Sequence, residues 1–125
     1  MRTISTRDIT NNQSLSFAIQ EGLALDGGLF TPDHFPDYPL TQGSGKKYTE
    51  LAFEILSLYL NEIKPETLRR NIINAYAKFD CEEVTPLTKI GKQYLLELYH
   101  GPTSAFKDVA LTLLPSLFKE TRSDD

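Results

Sequence analysis

Tryptophan is absent from this chain, cysteine and methionine occur once each and histidine twice in 125 residues. The lone thiol, Cys81, excludes an internal disulfide and any paired-cysteine zinc site, so a reducing, intracellular compartment is expected. Cys81 itself reads as a small buried hydrophobe. An excess of positive charge is missing too: 13 Lys and Arg stand against 17 Asp and Glu, a net charge of -4. That excludes the basic stripe which neutralising nucleic-acid phosphates requires. No apolar run reaches the length of a membrane span, and Met1-Arg2-Thr3-Ile4-Ser5 lacks the apolar stretch of a signal peptide. These absences leave a soluble cytoplasmic protein with no metal, membrane or nucleic-acid partner, and 40% hydrophobic residues are enough to give it a core.

The remaining pattern is one of short elements with clear punctuation. Ser14 is placed to cap a helix running through Ile19 and Gln20, with Leu15 and Ile19 on one face and Gly22 at its end. In "GLALDGGLFTP", Asp26-Gly27-Gly28 is a turn, and Leu25, Leu29 and Phe30 around it are expected in short buried extended pieces. Pro32, Pro36, Pro39, Gly43 and Gly45 predict a loop of fixed path over residues 31–47. From Tyr48 to Asn61 the polar Glu50, Glu54, Ser57 and Asn61 recur at helical spacing in an otherwise apolar run, predicting a helix that shows water one narrow edge. Pro65 suits the first position of a second helix, with Leu68, Ile72, Ala75, Tyr76 and Phe79 turned in and Arg69, Arg70, Asn74 and Lys78 turned out. The two should pack as a helical hairpin. Leu87 to Ile90 and Gln93 to Tyr99 read as strands around the tight turn Gly91-Lys92. A last helix is expected from Ser104 through Val109, Ala110, Leu113 and Leu114, interrupted at Pro115, with a frayed polar end from Thr121 to Asp125.

The stretch "HGPTSAFKD", His100 to Asp108, carries the candidate chemistry. With Ser104 as cap, Lys107 falls in the first turn, where unpaired N–H groups and the helix dipole disfavour an ammonium by about 0.3–1 kcal/mol, offset in part by Asp108. That biases the amine toward the neutral form that reacts with carbonyls, and such a helix end attracts a phosphorylated cofactor or a substrate carboxylate. Taken without any family, a lysine there is most often a solvated surface residue. Phe106 reads as packing, and His100 as a loop residue holding local hydrogen bonds whose pKa range would permit proton transfer.

"HGPTSAFKDVAL" resembles the pyridoxal-phosphate lysine segment of threonine synthases, and "GLALDGGLFTP" resembles the glycine-rich N-terminal signature of the same family. The two occur in the family's order on either side of the helical pair. The resemblance implies a fold-type-II pyridoxal-phosphate lyase of threonine biosynthesis, which converts O-phospho-L-homoserine and water to L-threonine and phosphate. It implies that Lys107 holds pyridoxal 5'-phosphate as an imine, is displaced by the substrate amine and then moves protons. Ser104, as the expected cap, would fix the lysine's approach and is the second candidate cofactor-binding residue. A threonine dehydratase of the same broad fold fits less well, because it leaves "DGGLFTP" unexplained.

The resemblance also marks what the chain does not carry. A cofactor phosphate needs a cup of backbone N–H groups, and none follows Lys107; Gly43-Ser44-Gly45 lies in the proline-rich loop and reads as a flexible turn. The expected architecture is α/β, in an α+β-like fragment. Residues 1–85 form a threonine synthase-like helical domain with short strands, and residues 86–125 the truncated start of the catalytic domain with its first strand and helix. Alone, such a chain is expected to be inactive and to lose the cofactor. The other reading is a non-catalytic interaction or structural module descended from threonine synthase. Unfinished strand edges predict self-association. The enzymatic reading expects the Lys107 amine to face an interior pocket that further chain would complete.

Overall fold

Two small antiparallel sheets and five α-helices make up residues 1–122, which the computed structural model describes. In the first sheet, β1 (Arg2–Ser5) lies between β2 (Asn12–Ser14) and β3 (Phe30–Pro32), with Thr3 opposite both Gln13 and Pro32. Pro32 is tolerated because β3 is an edge strand. The two-residue period of β1 turns Thr3 and Ser5 inward, where each hydroxyl donates to a partner: Thr3 to the Gln13 carbonyl at 3.3 Å, Ser5 to Asp26 Oδ1 at 2.8 Å.

Ser14 caps α1 (Leu15–Glu21) as expected, accepting from the Phe17 amide at 3.0 Å, and Gly22, with φ 73, ends it. Glu62 reinforces that start from across the fold, accepting from the Leu15 and Ser16 amides at 3.3 and 3.2 Å and from the Ser16 hydroxyl. Against desolvation, which would raise it, the bonds from Ser16 and Leu15 hold the Glu62 carboxyl below its usual range.

The predicted helical hairpin is present as α2 (Tyr48–Tyr59) and α3 (Pro65–Tyr76), with Pro65 at the first helical position. Tyr48 meets Tyr76 edge-on at 4.8 Å, and the Arg69 guanidinium lies 3.9 Å over the Phe53 ring. Leu68, Ile72, Ala75 and Tyr76 are buried and join Leu60, Ile63, Val84, Leu113 and Leu117 in the core, with Phe79 packed against them. Ile72 is 0% exposed, so Ile72→Val, which removes one methylene, is expected to cost about 0.5–1.5 kcal/mol. Urea denaturation should show a lower midpoint with an unchanged slope.

After β4 (Leu87–Ile90) and β5 (Gln93–Leu96), α4 (Asp108–Leu111) leads to α5 (Leu114–Thr121), where the helix restarts with Pro115 in its first turn. α5 packs on α1, and Gln20 Nε2 donates to the Phe118 carbonyl at 2.8 Å and to Thr121 Oγ1 at 2.7 Å. Among the described residues no helix is long and apolar enough to cross a membrane. Residues 123–125, in the end expected to fray, lie outside the described residues.

Several expectations are corrected. Leu25 and Leu29 are 96% and 60% exposed, because Asp26, which accepts from Ser5 of β1 and from the Gly28 amide, fastens the turn and leaves the leucines outward. No residue of α2 is buried: Tyr48, Ala52, Phe53 and Leu56 pack against the core but stay partly exposed. β5 stops at Leu96, short of Tyr99, where the Glu97 amide turns to the Pro86 carbonyl at 3.0 Å. Both strands of that hairpin are exposed along their whole length. Cys81 is half-buried and polar in its contacts: its thiol donates to Glu83 Oε2 at 3.0 Å, and that bond pushes the thiol pKa up.

Candidate functional site

Ser104 does not cap a helix. An N-cap needs extended backbone, and Ser104 stands in the left-handed region with φ 57. Its amide donates to the Gly101 carbonyl at 3.0 Å, closing a turn, and the helix begins only at α4, with Lys107 in the capping position. Lys107 is therefore outside a first turn, and α4 has four residues, too few to support the dipole argument. A left-handed serine costs about 1–2 kcal/mol, so other contacts must hold it.

Asp108 supplies them. It is 5% exposed, and its carboxylate accepts from the Thr103 hydroxyl and the Thr103 amide, both at 2.7 Å. Those bonds, the hydroxyl first, hold its carboxyl below the usual range. Gly101 makes room for it: a Cβ there would lie 2.6 Å from Asp108 Oδ2 and 2.9 Å from its Cγ. Beyond the loop, the Tyr76 hydroxyl donates to the Val109 carbonyl at 2.9 Å, and Leu113 is buried in the core. The loop is thus tied down from inside, while Ser104, Phe106 and Lys107 form an exposed outer rim. An amine on a rigid rim can meet a carbonyl without first ordering its own backbone.

His100 anchors the near end of this loop. Its Nδ1 is 2.6 Å from Asp80 Oδ1 and its Nε2 is 2.8 Å from Glu97 Oε2, while its carbonyl accepts from the Asp80 amide at 3.1 Å. Its ring stacks on Tyr99 with centroids 4.6 Å apart. Glu97 also accepts from the hydroxyls of Thr88 at 2.5 Å and Tyr99 at 2.8 Å. Thr88, then His100 and Tyr99, hold the Glu97 carboxyl down to about 2. Asp80 opens a turn whose Val84 is 2% exposed despite φ 61, a strained setting for a β-branched residue that its burial in the core maintains.

The "DGG" turn is a second built feature. Asp26 Oδ1 accepts from Ser5 Oγ and from the Gly28 amide, both at 2.8 Å, and Gly27 has φ 75. A Cβ on Gly28 would lie 2.9 Å from that oxygen and 3.1 Å from the Arg7 amide, so only glycine fits. Gly45 lines a concavity of about 500 Å³ with Lys46, Lys47 and Tyr48, and another of about 460 Å³ lies between Phe53, Pro65 and Arg69. Lys107 lines neither. The interior pocket expected around its amine is not closed by the described residues, because Lys107 is exposed.

Sequence reasoning singled out Lys107 and Ser104, and the structure places both on one rim. It missed the inward carboxylate of Asp108 and the Asp80–His100–Glu97 chain. Gly101, Thr103 and Asp108 stand at spacings that allow the first to be found; Asp80 is 20 residues from His100, and nothing in the local pattern pairs them.

The profile of a family described as threonine synthase N terminus matches residues 2–76. The threonine synthase of Schizosaccharomyces pombe is 42% identical over 122 residues, covering 93% of this chain and 24% of its own length. That of Methylobacillus glycogenes is 40% identical over 132 residues, 95% of this chain and 28% of its own. Among solved structures, a PLP-bound threonine synthase from Brucella melitensis superposes with a TM-score of 0.90 at 36% identity, over 97% of this chain and 27% of that one. The yeast enzyme gives 0.86 at 38% identity, over 94% and 26%. The chain spans about a quarter of the length of these relatives.

Proposed function

Because the chain belongs to the threonine synthase family, we propose that it supplies the lysine-bearing quarter of an enzyme converting O-phospho-L-homoserine and water to L-threonine and phosphate. Residues 1–85 act as the supporting N-terminal domain and residues 86–125 as the start of the catalytic domain. The observation that supports this reading is the superposition of 97% of the chain, its Lys107 loop included, on a PLP-bound threonine synthase, alongside the family match over residues 2–76.

The residues fit one end of pyridoxal 5'-phosphate. Lys107 offers a primary amine with no carboxylate partner among the described residues, while no glycine follows Gly101 to build a phosphate cup. When bound through that amine, the cofactor withdraws electrons from the α-carbon of an amino acid. Lys107 Nζ attaches the cofactor and carries protons to and from the substrate carbons. Ser104 acts through its left-handed turn, which aims the rim, and its exposed hydroxyl is the second contact we assign to the cofactor. The grip on the phosphate falls to sequence outside these 125 residues.

The test is a graft. Placed in the Schizosaccharomyces pombe threonine synthase instead of the matching 24% of its length, this chain should support phosphate release from O-phosphohomoserine. The chain by itself should release none, because positioning is the protein's main share of the catalysis and most of it is absent. A graft that folds, binds the cofactor and releases no phosphate favours the second reading, a non-catalytic module. The specific observation behind that reading is that Lys107 is exposed and lines neither concavity described above.

A further inference from the structure

We propose that His100, with both ring nitrogens protonated, is a positioning residue that braces the Lys107 loop against the Asp80 turn and the β4–β5 hairpin, and that the loop opens when the ring gives up a proton. The brace stands on geometry; only the use made of Lys107 rests on the function proposed above.

Both imidazole nitrogens face carboxylate oxygens, Asp80 at 2.6 Å and Glu97 at 2.8 Å. Carboxylates accept and do not donate, so two such bonds need two N–H groups, which only the imidazolium has. A neutral ring leaves one lone pair against a carboxylate. Glu97 cannot turn away, because its side chain is 14% exposed and the hydroxyls of Thr88 and Tyr99 hold it. Asp80, 77% exposed, can. Deprotonation therefore releases the Asp80 carboxylate first and weakens the hold on the start of the loop, one residue before Gly101, leaving the bond from the Asp80 amide to the His100 carbonyl on that side.

The surroundings favour the charged ring. Tyr99 stacks on it, and Glu83 lies near with its carboxyl bonded to the Cys81 thiol, so Asp80, Glu83 and Glu97 place three acids around one cation. The bond to Glu97 first, then that to Asp80, raises the His100 pKa above 6.5 against desolvation. For a group raised on folding, the contribution is complete below the free value of about 6.5 and is lost as pH climbs through the raised one. The acid side does not interfere, since Glu97 stays ionised down to about 2.

In the full chain, the His100 ring is titrated by NMR between about pH 5.5 and 9, alongside exchange of the Thr103, Ser104 and Asp108 amides corrected for base catalysis. Expected is a His100 midpoint above 6.5, with protection of those amides falling about tenfold for each pH unit of that excess. Asp80→Asn, at an exposed position, should lower the midpoint and shrink the loss in proportion; His100→Gln should flatten it. A midpoint at or below 6.5, or protection that stays level while His100 titrates, overturns the proposal. If protection tracks His100 but the grafted Schizosaccharomyces pombe enzyme folds and releases no phosphate from O-phosphohomoserine, the brace stands and the proposed function fails.

Discussion

Lys107→Ala in the grafted enzyme is expected to lower kcat by at least roughly 10²–10⁴-fold, the share that a positioned proton donor and acceptor ordinarily supplies. The loss of the covalent hold on the cofactor adds to that. The result separates chemistry from folding because Lys107 is exposed and only its backbone carbonyl, which an alanine keeps, is hydrogen-bonded, to the Ala110 and Leu111 amides. Truncating such a side chain moves stability by no more than about 0.5 kcal/mol. Lys107→Arg should not restore turnover, since a guanidinium stays charged and cannot offer a neutral amine. Steady-state phosphate release and a thermal melt on the same preparations check both halves. Turnover retained in Lys107→Ala would remove this residue from the reaction.

Gly101→Ala is expected to destabilise the fold by up to about 3 kcal/mol, the upper end for forcing one methyl into a packed site. The added Cβ would press on Asp108, at 2.6 Å from Oδ2 and 2.9 Å from Cγ, and Asp108 cannot retreat without giving up both bonds from Thr103. Gly45→Ala is the control. It has φ +76 and nothing within 4 Å of the point its methyl would occupy, so it carries backbone strain alone, about 1 kcal/mol. Chemical denaturation of both variants checks the ordering; equal losses would mean that the Gly101 contact is not what holds the loop.

Local signals foretold the local structure. Ser14, Gly22, Pro65 and Gly91 each do what their chemistry dictates, and the stripe from Leu68 to Tyr76 finds the core because helical period alone selects it. The sheet around β1 was not legible: its inward residues are Thr3 and Ser5, whose burial depends on partners at Gln13 and Asp26 and not on apolar alternation. Ser104 misled for a related reason. Serine is a good cap by propensity, but here Asp108 takes the Thr103 amide and hydroxyl and forces a left-handed turn first. The rim bearing Lys107 was found; what makes it rigid involves Asp80 and Tyr76, remote in sequence.

The pairing of α1 with α5 has a consequence for biosynthesis. Gln20 waits for Phe118 and Thr121, which follow it by 98 and 101 residues. At ordinary ribosomal speeds that interval is roughly 5–20 s, long enough for the N-terminal strands and the helical pair to assemble while one side of α1 is still bare. A nascent-chain chaperone that holds short apolar helices has its clearest opportunity there, and slowing translation between these points should lengthen that exposure.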